Sequence, residues 1–160
     1  MNKSTFNLHA LQAFWVAMAC ISGSSCLHAG IVCHVTSAAL AFGMYDPSVN
    51  SPTDGVGTVN LTCTNLMTAH PNGATVALSI SPTGKRQMGG NGDALSYGIY
   101  SNSARSANWG DGAAAPQLGT GAMQANETKN LRFTLYGRIP PLQNIAAGHY
   151  SDSLLITITP

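Results

Sequence analysis

Charge is scarce in this sequence. Seven Lys and Arg and six Asp and Glu make up 8% of 160 residues, against roughly 25% in an average soluble domain. No block of either sign occurs, and the net charge is +1. Nucleic-acid partners call for clustered Lys and Arg on the phosphates, and an electrostatic membrane partner calls for a basic patch. Neither is present. The low charge does not mean disorder, which pairs high charge with low hydrophobicity; here 44% of residues are apolar, enough for a core. A nearly neutral surface does little to oppose self-association, which suits a subunit that assembles.

A long apolar run is also missing. Ala10–Ile21 is too short for a bilayer-spanning helix, which needs about 20 apolar residues. With Lys3 ahead of it and small residues at Ser22–Ser25 behind it, residues 1–29 read as a secretory leader cleaved after Ala29. Cleavage after Ala19 is the alternative, and a lipid-modified Cys20 or Cys26 is another. Leader removal leaves no membrane-inserted segment.

Cysteine is sparse as well. Beyond the leader only Cys33 and Cys63 remain. Two cysteines in an exported domain read as one disulfide, and a loop of about 30 residues gives ~3–4 kcal/mol in the chain-entropy model. A metal site drawn from Cys33, Cys63, His34, His70 and His149 is the rival, but the spacing matches no zinc pattern.

Catalytic patterns are lacking too. Of the six acids, Asp46, Asp54, Asp93, Asp111, Glu127 and Asp152, five lie in or beside turn-like segments, where Asp serves the backbone. None forms an evident acid/base pair. Gly-x-Ser-x-Gly and His-Glu-x-x-His are absent. Gly110-Asp111-Gly112 and Gly119-Thr120-Gly121 do not lead from a strand into a helix, as a phosphate loop would. No catalytic, cofactor-binding or metal residue is assigned, and no cofactor is expected. Asn60-Leu61-Thr62 and Asn126-Glu127-Thr128 match the glycosylation acceptor pattern, which matters only in a eukaryotic secretory pathway. Tyr97, Tyr100, Trp109 and Tyr136 are either packed sheet aromatics or a sugar-binding platform.

What the sequence does contain is period-two alternation. Val59, Leu61 and Cys63 alternate with polar neighbours, as do Val76, Leu78 and Ile80, and Leu131, Phe133 and Leu135. Leu154, Ile156 and Ile158 close the series within a strand expected over Tyr150–Thr159. Each reads as a half-buried strand. Shorter strands are expected at Ile31–Val35, Leu40–Phe42, Leu95–Tyr100 and near Trp109. Clusters of Gly, Pro, Asn and Asp at Asp46–Gly57, His70–Gly73, Gly89–Asp93, Gly110–Gly121 and Gly137–Gly148 read as loops. The pattern predicts an all-β, immunoglobulin-like antiparallel sandwich over residues 30–160, with Cys33 in its first strand and Cys63 on the inward face of its second main strand.

Several of these segments carry a resemblance. Cys33-His-Val-Thr with Leu40-Ala-Phe-Gly-Met-Tyr-Asp-Pro47 resembles the opening of the spore coat protein U domain. Gly57-Thr-Val-Asn-Leu-Thr-Cys-Thr64 resembles its second-cysteine strand. Arg86-Gln-Met88, Leu95–Tyr100, Trp109-Gly110, Tyr136–Pro140 and Gly148–Thr159 are similar in order and spacing. The resemblance implies a sandwich that lacks its last strand and receives one from a periplasmic chaperone, then from a neighbouring pilus subunit. It implies an outer-membrane usher, export through the periplasm and a structural rather than enzymatic role. The groove is expected beside Tyr150, Leu154, Ile156 and Ile158, with Leu40 and Phe42 on the other side. The sequence ends directly after that strand, so a partner is expected to cover its edge. A donor segment of about ten residues at roughly 3.3 Å each is not evident ahead of Cys33, so the chain is expected to accept a strand without giving one, as a tip, terminal or minor subunit. The alternative is a tip adhesin or secreted binding module with exposed apolar loops at Met44–Val49 or Trp109–Leu118.

Overall fold

The computed structural model describes residues 2–4, 30–66, 73–81, 85–110 and 115–159. Apart from Asn2–Ser4, the expected leader lies outside the described residues, as do Cys20, Cys26, His70 and Asp111. The strands are β1 (Asn2–Ser4), β2 (Ile31–Ala41), β3 (Gly43–Tyr45), β4 (Thr53–Asn65), β5 (Thr75–Ser81), β6 (Arg86–Gly90), β7 (Asp93–Tyr100), β8 (Gln117–Gly119), β9 (Thr128–Ile139) and β10 (Leu155–Thr159). No helix occurs among the described residues.

The strands form the expected immunoglobulin-like antiparallel sandwich. One sheet has the order β2-β4-β9-β7-β6 and the facing sheet β10-β5-β8; β1 pairs with β3. Alternation drives the layering, because successive side chains on a strand point to opposite faces. On β4, Val59, Leu61 and Cys63 are fully buried while Thr58, Asn60 and Thr62 look outward. On β5, Val76, Leu78 and Ile80 are fully buried. From β9 come Phe133, Leu135 and Ile139, and from β7 Leu95, Tyr97 and Ile99. The outward face of β4 and β9 is held by hydroxyl and amide pairs, including Thr62 Oγ1 to Asn130 Oδ1 at 2.9 Å.

The turn expected within Gly89–Asp93 is present. β6 and β7 form a hairpin around Asn91-Gly92, both at positive φ (50° and 83°), which matches the handedness of a tight primed turn. Other glycines have a different role. Gly55, Gly57 and Gly137 read as loop residues, yet they lie inside β4 and β9 and face the core. A Cβ on Gly55 would meet the Phe42 ring at 3.0 Å, one on Gly137 would meet it at 2.5 Å, and one on Gly57 would collide with Ala39 and Leu40. The bare backbone lets Leu40 and Phe42 lie flat on the sheet, the close-approach use of glycine in a strand.

Two further expectations are corrected. Ile31–Val35 and Leu40–Phe42 are not separate strands: β2 runs unbroken from Ile31 to Ala41, with a bulge between Val35 and Ser37. The last strand begins at Leu155, not Tyr150. Tyr150 is held in the core instead, its hydroxyl donating to Ala146 O at 2.8 Å, and Ser151 bridges to Gly89 of β6. The chain crosses from one sheet edge to the other sheet over this stretch.

A candidate groove between two sheet edges

The two sheets are closed along one side and open along the other. On the closed side, β8 covers only Thr75–Ala77 of β5. Beyond it, the β5 edge is finished by side chains. Trp109 donates from Nε1 to Leu78 O at 2.8 Å, and Arg86 donates from Nη2 to Ile80 O at 3.1 Å. Leu78 N donates to Pro116 O, just ahead of β8. Both donors come from the β6 flank of the larger sheet: Arg86 starts β6, and Trp109 N donates to Ile99 O beside it. The β8 edge therefore faces the β6 edge, and β10 lies on the side of β2.

Trp109 and Arg86 are 1% and 2% exposed. Burying a charge is costly unless it is partnered. Arg86 lies opposite Tyr97, whose hydroxyl donates to Asp152 at 2.7 Å. Burial lowers the Arg86 pKa, with Tyr97 and Asp152 opposing that shift. Burial, and then the bond to Asp152, pushes the Tyr97 phenol above its usual range. Trp109 stacks edge-on against Phe133 at 6.2 Å. These aromatics hold the sandwich shut; Tyr100 and Tyr136 are half-buried. Of the expected apolar loops, Met44 and Val49 are exposed, whereas Trp109 is in the core.

On the open side β2 and β10 are the edge strands, and among the described residues no ladder joins them. Their inward-facing residues differ from those of the inner strands. Cys33, Val35 and Ala38 on β2, and Ile156 and Ile158 on β10, pack against the core but stay partly exposed. Their backbones are oriented likewise. In an antiparallel pair, alternate residues turn both N–H and C=O away from the partner strand. Leu78 spends its groups on Pro116 and Trp109, so its partner Ile158, and by the same parity Ile156, point theirs away from β5. On β2, Leu66 N donates to Gly30 O, so Ile31, Cys33 and Val35 point theirs away from β4. Among the described residues, two rows of backbone groups without a strand partner thus flank one row of partly exposed apolar side chains.

The sequence-predicted residues divide across this groove. Ile156 and Ile158 line it. Leu40, Phe42, Tyr150 and Leu154 are 0%, 6%, 0% and 4% exposed, so the chain itself already covers them. Leu40 and Phe42 close one end, seated on the glycine platform. Val35 and Ala38 were missed, because the bulge at Thr36 sets them three residues apart and breaks the alternation that would have marked them. Cys33 and Cys63 are bonded to each other across directly opposed positions of β2 and β4, with Cα atoms 4.0 Å apart. That bond removes both thiols from any ligand set; His34 and His149 are exposed. Among the described residues, no group of three His, Cys, Asp or Glu side chains gathers.

The architecture agrees with what the chain resembles. The family model described as the Spore Coat Protein U domain matches residues 18–157, beginning inside the segment read as a leader. Protein U of Myxococcus xanthus is 32% identical over 150 residues, covering 81% of this chain and 78% of the relative. With a match across most of its length and a disulfide-clipped antiparallel sandwich as its fold, the chain belongs to the Spore Coat Protein U domain family.

Proposed function

We propose that this chain is a non-enzymatic structural subunit of a surface coat or pilus, assembled by accepting a β-strand from another polypeptide. The observation that supports this most directly is the open side of the sandwich. An extended segment with apolar residues at every second position would cover Val35, Ala38, Ile156 and Ile158 and pair with unpaired backbone groups at once, as in strand addition to a sheet edge. Complete burial of a Val or Ile side chain is worth about 1.5–3 kcal/mol, so covering the exposed part of each contributes at most about 1 kcal/mol. Together such terms amount to a noticeable share of a domain stability of about 5–15 kcal/mol. On this reading the donor is a periplasmic chaperone during export and a neighbouring subunit, delivered at an outer-membrane usher, in the assembled structure at the cell surface.

The test is a fusion that carries an alternating Val/Thr segment after Pro160 through a flexible linker. The fused chain is expected to be a soluble monomer that melts well above the unfused one. A matched segment with its Val residues replaced by Ser should give no gain. An unfused exported chain that is monomeric and melts as high as the fusion would sink the proposal.

A further inference from the structure

The groove has two walls, and they are not equivalent. β10 is regular over Leu155–Thr159, with an unbroken register to β5. β2 is interrupted by its bulge, where Thr36 is the extra residue. Thr36 and Ser37 both point outward. The bulge is pinned to β4 by side chains: Thr36 Oγ1 donates to Asn60 O at 3.1 Å, and Asn60 Nδ2 donates to Ser37 Oγ at 2.8 Å. It also lies at the height of β10. Trp109 touches both Leu78, the partner of Ile158, and Phe133, whose row runs through Val59 to Ala38. Ile158 and Ala38 therefore stand at about the same level in the two sheets.

A regular strand cannot keep a continuous ladder across a bulge, because the extra residue shifts the edge groups out of step. Natural sheets use this to blunt an edge. Building on the strand-accepting function proposed above, we infer that the guest strand takes its backbone hydrogen bonds from β10 alone, and that Thr36 makes β2 a wall of side chains rather than a second template. The guest is one extended segment, held by its ladder to Ile156 and Ile158 and by packing against Val35 and Ala38. The same bulge keeps a second copy of the chain from pairing edge-to-edge along β2.

The test uses the full exported chain and one synthetic peptide of alternating Val and Thr, made in three forms: unmodified, backbone N-methylated at its Val positions, and N-methylated at its Thr positions. Amides of the two sets face opposite walls. One methylated form should weaken binding by about tenfold or more, and the other should bind within about twofold of the unmodified peptide. Deleting Thr36 leaves every other β2 residue on its present face. It should make the chain sensitive to both methylated forms and should shift it towards dimers in sedimentation. Equal loss with both forms, or with neither, in the unaltered chain overturns the inference while leaving strand acceptance standing. Failure of the unmodified peptide to bind overturns strand acceptance, and this inference with it. A Thr36-deleted chain that keeps its disulfide and melting temperature but still ignores one methylated form overturns the role given to the bulge.

Discussion

Replacing Gly137 by Ala tests the glycine platform beneath Leu40 and Phe42. The added methyl would lie 2.5 Å and 2.6 Å from two atoms of the Phe42 ring and 3.1 Å from a Leu40 methyl. Phe42 is 6% exposed and meets Tyr97 edge-on at 5.6 Å, so it cannot yield without disturbing a packed pair. Overpacking of this kind costs about 1–3 kcal/mol, and a disrupted aromatic pair adds about 0.5–1.5 kcal/mol. Reduced freedom of the unfolded chain offsets about 0.4–1 kcal/mol. The net expectation is a loss of about 1–3 kcal/mol, or roughly 3–10 °C in Tm for a domain of this size. Gly89→Ala is the internal control, since nothing lies within 4 Å of its added methyl; it should be neutral or slightly stabilising. Denaturant unfolding of Gly137→Ala, Phe42→Leu and the double variant completes the cycle. Phe42→Leu should relieve much of the Gly137→Ala cost. A Gly137→Ala change that costs nothing, or costs as much in the Phe42→Leu background as in the unaltered chain, would refute the close-approach account of this glycine.

Cys33→Ala or Cys63→Ala should lower stability by about 2–5 kcal/mol, read as a fall in folded yield and Tm; thiol titration of the native chain should detect neither Cys33 nor Cys63. Because the Tyr97 pKa is raised in the fold, its stabilisation is complete below about pH 10, where the unfolded phenol begins to ionise, and declines as pH climbs further. Tyr97→Phe should flatten that alkaline slope in urea titrations, and an unchanged slope would refute the assignment. The carboxyl of Asp54 is held below its usual range, first by hydrogen bonds from Arg138 at 2.7 and 2.9 Å and then by the charge of Arg105. Its contribution is present above about pH 3.9 and fades as pH falls below that. Asp54→Asn should flatten the acid limb by a small amount, since all three side chains are partly exposed.

Legibility in the sequence followed how far each residue obeys period two. Val59, Leu61 and Cys63 and the Val76, Leu78 and Ile80 set lie on straight inner strands, so their alternation maps directly onto burial. β2 reads as two pieces because Thr36 inserts a step of three between Val35 and Ala38. Gly55, Gly57 and Gly137 carry turn composition, and only the Leu40 and Phe42 side chains above them reveal why a strand would omit side chains there. Arg86 reads as a surface residue in any pattern, since charge is seldom buried; its position depends on the Ile80 carbonyl left bare where β8 ends. Tyr150 reads as the start of the last strand because it keeps the right parity, but its hydroxyl is drawn to Ala146 and the chain is still crossing between sheets. The disulfide partners were legible from count, and their strands from alternation. That the two strands are neighbours with the cysteines directly opposed, and that one cysteine lies beside the open groove, needed the register of β2 on β4.

That register also determines how the domain carries tension. Strands pulled from one end peel apart one hydrogen bond at a time, and β2, as an edge strand, is the natural place for peeling to begin. Cys33 is only the third residue from the N-terminal end of β2, and it is bonded to Cys63 of β4. A force applied at that end therefore meets a covalent stop almost at once. It passes into β4, a strand flanked on both sides by β2 and β9. Beyond Cys33 the rest of β2 stays zipped while the load is shared across the sheet, so the edge that borders the groove keeps its shape under strain.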